Sequence, residues 1–311
     1  MTNTLKIKPV SAKPLSEWKS VATELLGTQT RMVQGKRFRH RVIECGTKGE
    51  PLLLIHGIGG HAETYARNLH NLANHGFHVY AIDALFHGFS SKEPWDDEGW
   101  RDMQVEGVAD LIEALGYSWV HVEGESMGGE IAFELGMRYP HLCGKLILNT
   151  GTGAIDLKKT DFKENPGGGS ALQELSQRSI LEPSFENMRK RMEWLVADPS
   201  RMTDEMVDIR VQLYAFPEVY ESIKRVYGID REQGGWQFKP KWQEKDLLDF
   251  KPPALVFWTE DNPGEGPDFG EYISNLIPGA KFYNMEDAAH WPQWEKPEEH
   301  DQVLIDFIQG G

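Results

Sequence analysis

Trp119-Val120-His121-Val122-Glu123-Gly124-Glu125-Ser126-Met127-Gly128-Gly129 is the stretch on which the fold turns. Its first half is a short apolar strand that runs straight into Gly124. Gly124-Glu125-Ser126-Met127-Gly128 then fits G-x-S-x-G, and Ile131 and Leu135 follow at helical spacing. A serine on such a strand–turn–helix corner sits in a strained backbone conformation that lifts its hydroxyl clear of the sheet. The flanking positions tolerate only glycine, because a side chain there would strike the neighbouring backbone. The helix start behind the serine presents amide donors and the positive end of the helix dipole. Ser126 is therefore the candidate nucleophile.

Working outward, strands and helices alternate, the pattern of a mostly parallel sheet covered on both faces. Upstream lie two strand-like runs, Arg31–Gln34 and Arg37–Glu44, joined at Gly35-Lys36 as a hairpin. Next come the strand Leu52–Ile55, a helix carrying Tyr65, Leu69 and Leu72, and the strand Val79–Ile82. A helix from Trp100 to Leu115 leads into the serine corner, and Leu146–Leu148 follows it. The rhythm then breaks. Residues 155–246 read as helical and polar, with a Gly167-Gly168-Gly169 loop and no clear strand. Strands return at Ala254–Phe257 and Ala280–Tyr283, and a helix from Glu298 to Ile308 ends the pattern. Residues 1–154 and 247–311 thus form one sheet domain, interrupted by a helical insertion placed to act as a lid. Residues 1–27 read as an arm ending in a short helix, capped by Ser16, with Trp18, Val21 and Leu25 on one face and Gly27 as its stop.

A serine nucleophile needs a base, an acid to orient it and two oxyanion donors. His56-Gly57-Ile58-Gly59-Gly60 follows the strand Leu52–Ile55 and supplies a donor loop, so the amides of Ile58 and Met127 are the expected oxyanion hole. His56 itself reads as a structural histidine under that loop. On a strand–helix scaffold of this type the chain order is serine, acid, histidine. Of the histidines after Ser126, His141 lies just past the corner helix and His300 falls in the final helix, expected to be exposed. His290, in the loop Ala288-Ala289-His290-Trp291-Pro292, is the expected base. Thr259-Glu260-Asp261-Asn262-Pro263 follows the strand Ala254–Phe257; Asp261 is taken as the acid, with Glu260 as the alternative, and Asp287 as a loop residue.

The formal charge of −15 sets aside nucleic acid and anionic membrane as partners, and an anionic substrate would need a local cation. The first residues lack the apolar core of a signal peptide, and no apolar run of about 18 residues is present, so a cytoplasmic protein is expected. Cys45 and Cys143 give neither a disulfide framework nor a metal spacing and read as two buried thiols. No metal cluster and no dinucleotide fingerprint appears, so no cofactor is expected; the partner is a small-molecule substrate, with a homodimer as the common base case.

With these residues in place the chain resembles the α/β-hydrolases that cleave meta-ring-fission products, the carbon–carbon bond hydrolases of aromatic degradation. The matching stretches are His56–Glu63, Tyr65-Ala66-Arg67-Asn68, the corner with Met127-Gly128-Gly129, and His290-Trp291-Pro292-Gln293-Trp294-Glu295. The resemblance implies an α/β-hydrolase fold: an eight-stranded, mostly parallel sheet with helices on both faces and an inserted lid. It implies hydrolysis of a C–C bond in a 2-hydroxy-6-oxo-hexa-2,4-dienoate; a carboxylesterase or lactonase with the same triad is the alternative. It also implies a lid arginine on the substrate carboxylate, matched by Arg210, with Arg191 the other candidate, and a pocket tryptophan matched by Trp291. A guanidinium suits that task because it forks onto a carboxylate with two parallel bonds. Trp194, Leu195, Leu213 and Phe216 suggest an apolar pocket under the lid. Three positions depart from the pattern. Glu125 stands where such hydrolases tend to carry Asn, Phe86 where the superfamily usually has Gly, and Ala289 where Gly is usual.

Overall fold

The computed structural model describes residues 20–229 and 240–310. Its centre is an eight-stranded sheet: β1 (Gln29–Gln34), β2 (Arg39–Cys45), β3 (Glu50–Ile55), β4 (Phe77–Ile82), β5 (Val120–Glu125), β6 (Cys143–Asn149), β7 (Ala254–Thr259) and β8 (Lys281–Met285). The spatial order is β1-β2-β4-β3-β5-β6-β7-β8. β1 and β2 form an antiparallel hairpin, β2 meets β4 antiparallel, and every later pairing is parallel. Strand periodicity explains why the sheet needs two covers. Along β3, Leu52 and Leu54 join one core while Leu53 and Ile55 join the other. α2 (Leu69–Asn74) and α11 (Pro297–Gln309), which follows the one-turn α10 (Pro292–Glu295), cover the first face; α3 (Trp100–Ala114), α4 (Met127–Arg138) and α9 (Pro267–Leu276) cover the second. The resemblance-derived fold stands.

Among the described residues four α-helices lie between β6 and β7: α5 (Ser170–Leu181), α6 (Phe185–Glu193), α7 (Asp204–Tyr214) and α8 (Pro217–Val226). The sequence showed no strand here, yet two-residue strands tie this segment to itself and to the core. Ile155–Asp156 pairs with Trp242–Gln243, and Glu164–Asn165 with Gly264–Glu265. Pairs this short carry no periodicity to read. The buried faces of the four helices continue into the same core as α3 and α4, so the lid packs on the sheet domain.

The arm helix α1 (Val21–Glu24) starts at Ser20; Ser16 and Trp18 lie outside the described residues. Glu205 on α7 accepts hydrogen bonds from the Val21 amide (2.8 Å) and the Ser20 hydroxyl (3.0 Å), which fastens the arm to the lid. The Arg67-Asn68 pair proves to be structural. Arg67 stacks 3.6 Å over the Trp294 ring and donates to its carbonyl, while Asn68 donates to Gln293 O and Asp301. His300 corrects an expectation, for it is fully buried on the inner face of α11. Cys45 and Cys143 are free thiols, the second only partly buried. Among the described residues no helix is long and apolar enough to cross a membrane, and no group of His, Cys, Asp and Glu could hold a metal ion.

Candidate active site

Ser126 stands at the junction of β5 and α4 with φ +56° and ψ −117°, a region L-residues avoid. The strain is held from both sides, since its amide donates to Asn149 O (2.8 Å) and its carbonyl accepts from the Glu130 amide. A Cβ at Gly124 would fall 2.0 Å from Gly128 O, and one at Gly128 would fall 2.0 Å from Ile55 O. The G-x-S-x-G glycines are thus required by backbone packed on backbone.

A cavity of about 790 Å³ opens over this corner. Ile58, Ser126, Met127, Asn262 and His290 all line it, so Ser126 and His290, 164 positions apart in the chain, share one wall. The Ile58 loop is held by the lid: Tyr214 donates to Gly59 O (3.1 Å) and Tyr227 to Ile58 O (3.3 Å). His56 lies buried beneath it, as expected. Its Nε2 accepts from the Ala84 amide (3.1 Å), which leaves Nδ1–H to donate to Gly57 O (2.6 Å).

The acid assignment is corrected. His290 Nδ1 is 2.7 Å from Asn262 Oδ1, whereas Asp261 is exposed and makes no side-chain contact with the imidazole. Glu260 is exposed too, its carboxylate 3.5 Å from the Asp287 amide. Backbone pairing decides which residue turns inward. The Asp261 amide is tied to Ala288 O, and the turn closed by the Asn262 amide on Thr259 O swings Asn262 beneath the ring. Asn262 Nδ2 donates to Glu265 O (2.8 Å), so its oxygen faces the imidazole and Nδ1 carries the proton. Nε2 is left as the basic atom.

Nε2 lies 3.3 Å from Glu125 Oε1, and Glu125 Oε2 accepts from the Gly57 amide at 2.7 Å. Glu125 is buried, and its Oε1 has no hydrogen-bond donor among the described residues. Burial, followed by the neighbouring Glu123 charge, raises its carboxyl to about 8, against the opposing Gly57 bond and the Arg210 and Arg191 charges. Burial, with the Arg191 charge behind it, lowers His290 to about 3. Both shifts favour an uncharged pair. Sequence reasoning had marked Glu125 as a departure but not as a neighbour of the base; its place directly before the serine was the available signal. Ser126 Oγ makes no hydrogen bond among the described residues.

Two arginines come from the lid. Arg191 on α6 lines the cavity; its Nε donates to Ser176 Oγ (2.9 Å) while its buried Nη1 lacks a partner among the described residues. Arg210 on α7 is 2% exposed, with Nε and Nη2 likewise buried and unpartnered. Burial lowers its pKa, partly offset by nearby Tyr214 and Tyr227. Trp291 is buried and carries the Arg210 guanidinium 5.2 Å over its ring. Arg210 and Trp291 lie outside the wall that Ser126 and His290 share. Of the expected apolar lid residues, Trp194 lines the cavity, its ring set edge-on to His290 with the centroids 5.1 Å apart. Leu195 and Leu213 are lid core, and Phe216 is 45% exposed beside Phe89.

Comparison with known proteins agrees with this architecture. The model of the alpha/beta hydrolase fold family matches residues 50–297. A 2-hydroxy-6-oxononadienedioate/2-hydroxy-6-oxononatrienedioate hydrolase of Paraburkholderia phymatum is 30% identical over 280 residues, 88% of this chain and 92% of that protein. A meta-cleavage product hydrolase from Pseudomonas fluorescens IP01 superposes with a TM-score of 0.73 at 20% identity, over 90% of this chain and 97% of that one. A carboxylesterase from Bacillus subtilis also superposes, at 0.69 and 17% identity over 94% and 96%, so the fold alone does not select the bond that is cut. With the family model spanning most of the chain and a relative of this kind aligned along nearly its whole length, the chain belongs to the α/β-hydrolase fold family and, within it, to the meta-cleavage product hydrolases.

Proposed function

We propose that the protein is a cytoplasmic serine hydrolase that cleaves the C5–C6 bond of a 2-hydroxy-6-oxo-dienoate whose tail ends in a second carboxylate. The observation that carries this reading is the pair Arg191 and Arg210. Both are buried with guanidinium N–H groups lacking partners among the described residues, and both lie within electrostatic reach of Glu125 beside the serine. An unpaired buried guanidinium costs several kcal/mol unless an anion arrives to meet it. Two of them in a chain of net charge −15 suit a dianion, and the Paraburkholderia relative is named for a dioate.

In this reading Arg210 holds the C1 carboxylate, Arg191 the tail carboxylate, and the pocket promotes conversion of the dienol to its keto form. Ser126 Oγ attacks the C6 carbonyl and passes its proton to His290 Nε2, while the Ile58 and Met127 amides hold the oxyanion. The C5–C6 bond breaks, the leaving carbon takes the imidazolium proton, and an acyl-serine remains. Water, deprotonated by His290, then releases the tail as a carboxylic acid and restores Ser126. One oxyanion donor is worth about 2.7–4 kcal/mol in such sites.

The test follows loss of the coloured dienolate with ring-fission products ending in methyl, phenyl or carboxylate. The carboxylate tail should have the highest kcat/KM, and Arg210→Ala should abolish turnover of all three dienoates while sparing a neutral ester. No turnover of any dienoate, or full activity in Ser126→Ala, would refute the reading. Equal loss of ester and dienoate activity in Arg210→Ala would favour an esterase.

A further inference from the structure

An imidazole that takes a proton from serine becomes a cation, and this site is hostile to one. The ring is largely withdrawn from solvent, with 12% of the side chain exposed, Arg191 lines the same cavity, and the Arg210 charge bears on the adjoining Glu125. Asn262 accepts the Nδ1 proton and fixes the tautomer, but a neutral amide offers the imidazolium no charge. Among the described residues one carboxylate touches the ring, and it does so at the other nitrogen. Glu125 Oε1 lies 3.3 Å from Nε2, in a side chain anchored through Oε2 to the Gly57 amide. A Cβ built on Gly57 would lie 2.6 Å and 2.8 Å from the two carboxyl oxygens and 2.9 Å from Ser126 Cβ, so carboxyl, serine and donor loop converge on one point.

We propose that Glu125 is the positioning carboxylate of this centre, compensating from the Nε2 side of His290 the charge that Asn262 cannot compensate from the Nδ1 side. The inference rests on the Ser126–His290 centre, not on the identity of the substrate. With Nδ1–H committed to Asn262, a protonated Glu125 donates its O–H to Nε2 and occupies the lone pair that Ser126 needs. Once ionised, Glu125 leaves Nε2 free to take the Ser126 proton and faces the resulting N–H⁺ with an anion. No other reagent is required: the proton moves from Oγ to Nε2 and later to the leaving group. The groups facing Glu125 are His290, Glu123 on its own strand, Tyr65 beyond the donor loop, and Arg191 and Arg210 from the lid. Since the carboxyl titrates near 8, acylation should rise with pH through that value. An unassisted histidine would give a limb near or below its ordinary value of about 6.5.

The experiment measures acylation of the purified full chain by p-nitrophenyl acetate, and turnover of a ring-fission dienoate, from pH 5 to 10. The proteins are wild type, Glu125→Gln, Asn262→Asp and the double variant. Wild type should show the rising limb near pH 8. Glu125→Gln should acylate roughly 100-fold more slowly and lose that limb. Adding Asn262→Asp to it should restore at least tenfold by returning a carboxylate to the ring from its other side. A wild-type profile flat across pH 6–9, which needs no variant to fold, would overturn the proposal. So would Glu125→Gln within threefold of wild type, a limb unchanged in that variant, or a loss that Asn262→Asp does not recover in a protein whose unfolding midpoint is intact. If the ester shows these effects and no dienoate turns over, the substrate reading fails and the Glu125 role stands.

Discussion

The Asn262 amide binds His290 Nδ1 with its oxygen and the Glu265 carbonyl with its nitrogen, so it is fixed in orientation as well as place. Asn262→Ala would leave the imidazole free to rotate and to adopt the wrong tautomer. We expect a kcat roughly 100-fold lower on any substrate, with little change in KM. Asp261→Asn, at an exposed position, should stay within twofold of wild type in the same assay. A large loss there would restore the assignment made from sequence. That assignment missed by one residue for a physical reason. Ser126 and His290 were legible because a glycine-flanked serine after a strand, and a histidine after the last strand, admit few alternatives. The residue that orients the base lies in a turn where two adjacent residues point opposite ways, and only the pairing of the Asp261 amide with Ala288 O decides between them. Phe86 shows the converse. Its φ of +71° explains why glycine is usual there, while its buried ring, packed edge-on 4.9 Å from Trp95, shows what this chain has in its place.

The strand–turn–helix corner makes its own prediction. Gly128→Ala removes a helix-disfavouring glycine, worth about 1 kcal/mol to α4 in isolation. Against that, the new Cβ would sit 2.0 Å from Ile55 O, and neither backbone can yield without moving β3 or α4. The clash should win, with a net loss of at least about 2 kcal/mol in urea unfolding and loss of acylation, since the same shift displaces the Met127 amide. The lid helices act on the other donor. Tyr214→Phe removes the bond that holds Gly59 O and should slow acylation about fivefold while leaving KM near wild type, measured by burst kinetics. Elements of this length were readable from periodicity, as α3, α4 and the parallel strands show. The two-residue strands at the lid stem were not, because tertiary contacts alone create them.

Across the whole molecule, the sheet and α11 share a buried charged cluster. His300 on α11 is fully buried, with Nδ1 3.1 Å from Asp301 and Nε2 3.5 Å from Glu123 on β5. Asn149 donates to Glu123, and Asn68 and Asn71 donate to Asp301, so four parts of the chain converge on one ion cluster. Burial alone would keep this histidine neutral, but the bonds and charges of Asp301 and Glu123 prevail and raise it to about 9. The folded protein therefore keeps a proton that the unfolded chain releases above about 6.5. A raised folded pKa gives stability that is fully present below 6.5 and is lost as pH climbs through 9. The buried His40 and His87, both lowered to about 4, act in the opposite window and withdraw stability as pH falls from 6.5 towards 4. The unfolding free energy should accordingly decline between pH 6.5 and 9, and His300→Gln should reduce that decline, leaving the part that Glu125, raised to about 8, contributes up to that pH and leaving the effect of His40 and His87 intact. Urea titrations at half-unit intervals provide the slopes. An unchanged alkaline slope in His300→Gln would mean that the proton resides elsewhere and that this cluster does not couple α11 to the strand bearing the nucleophile.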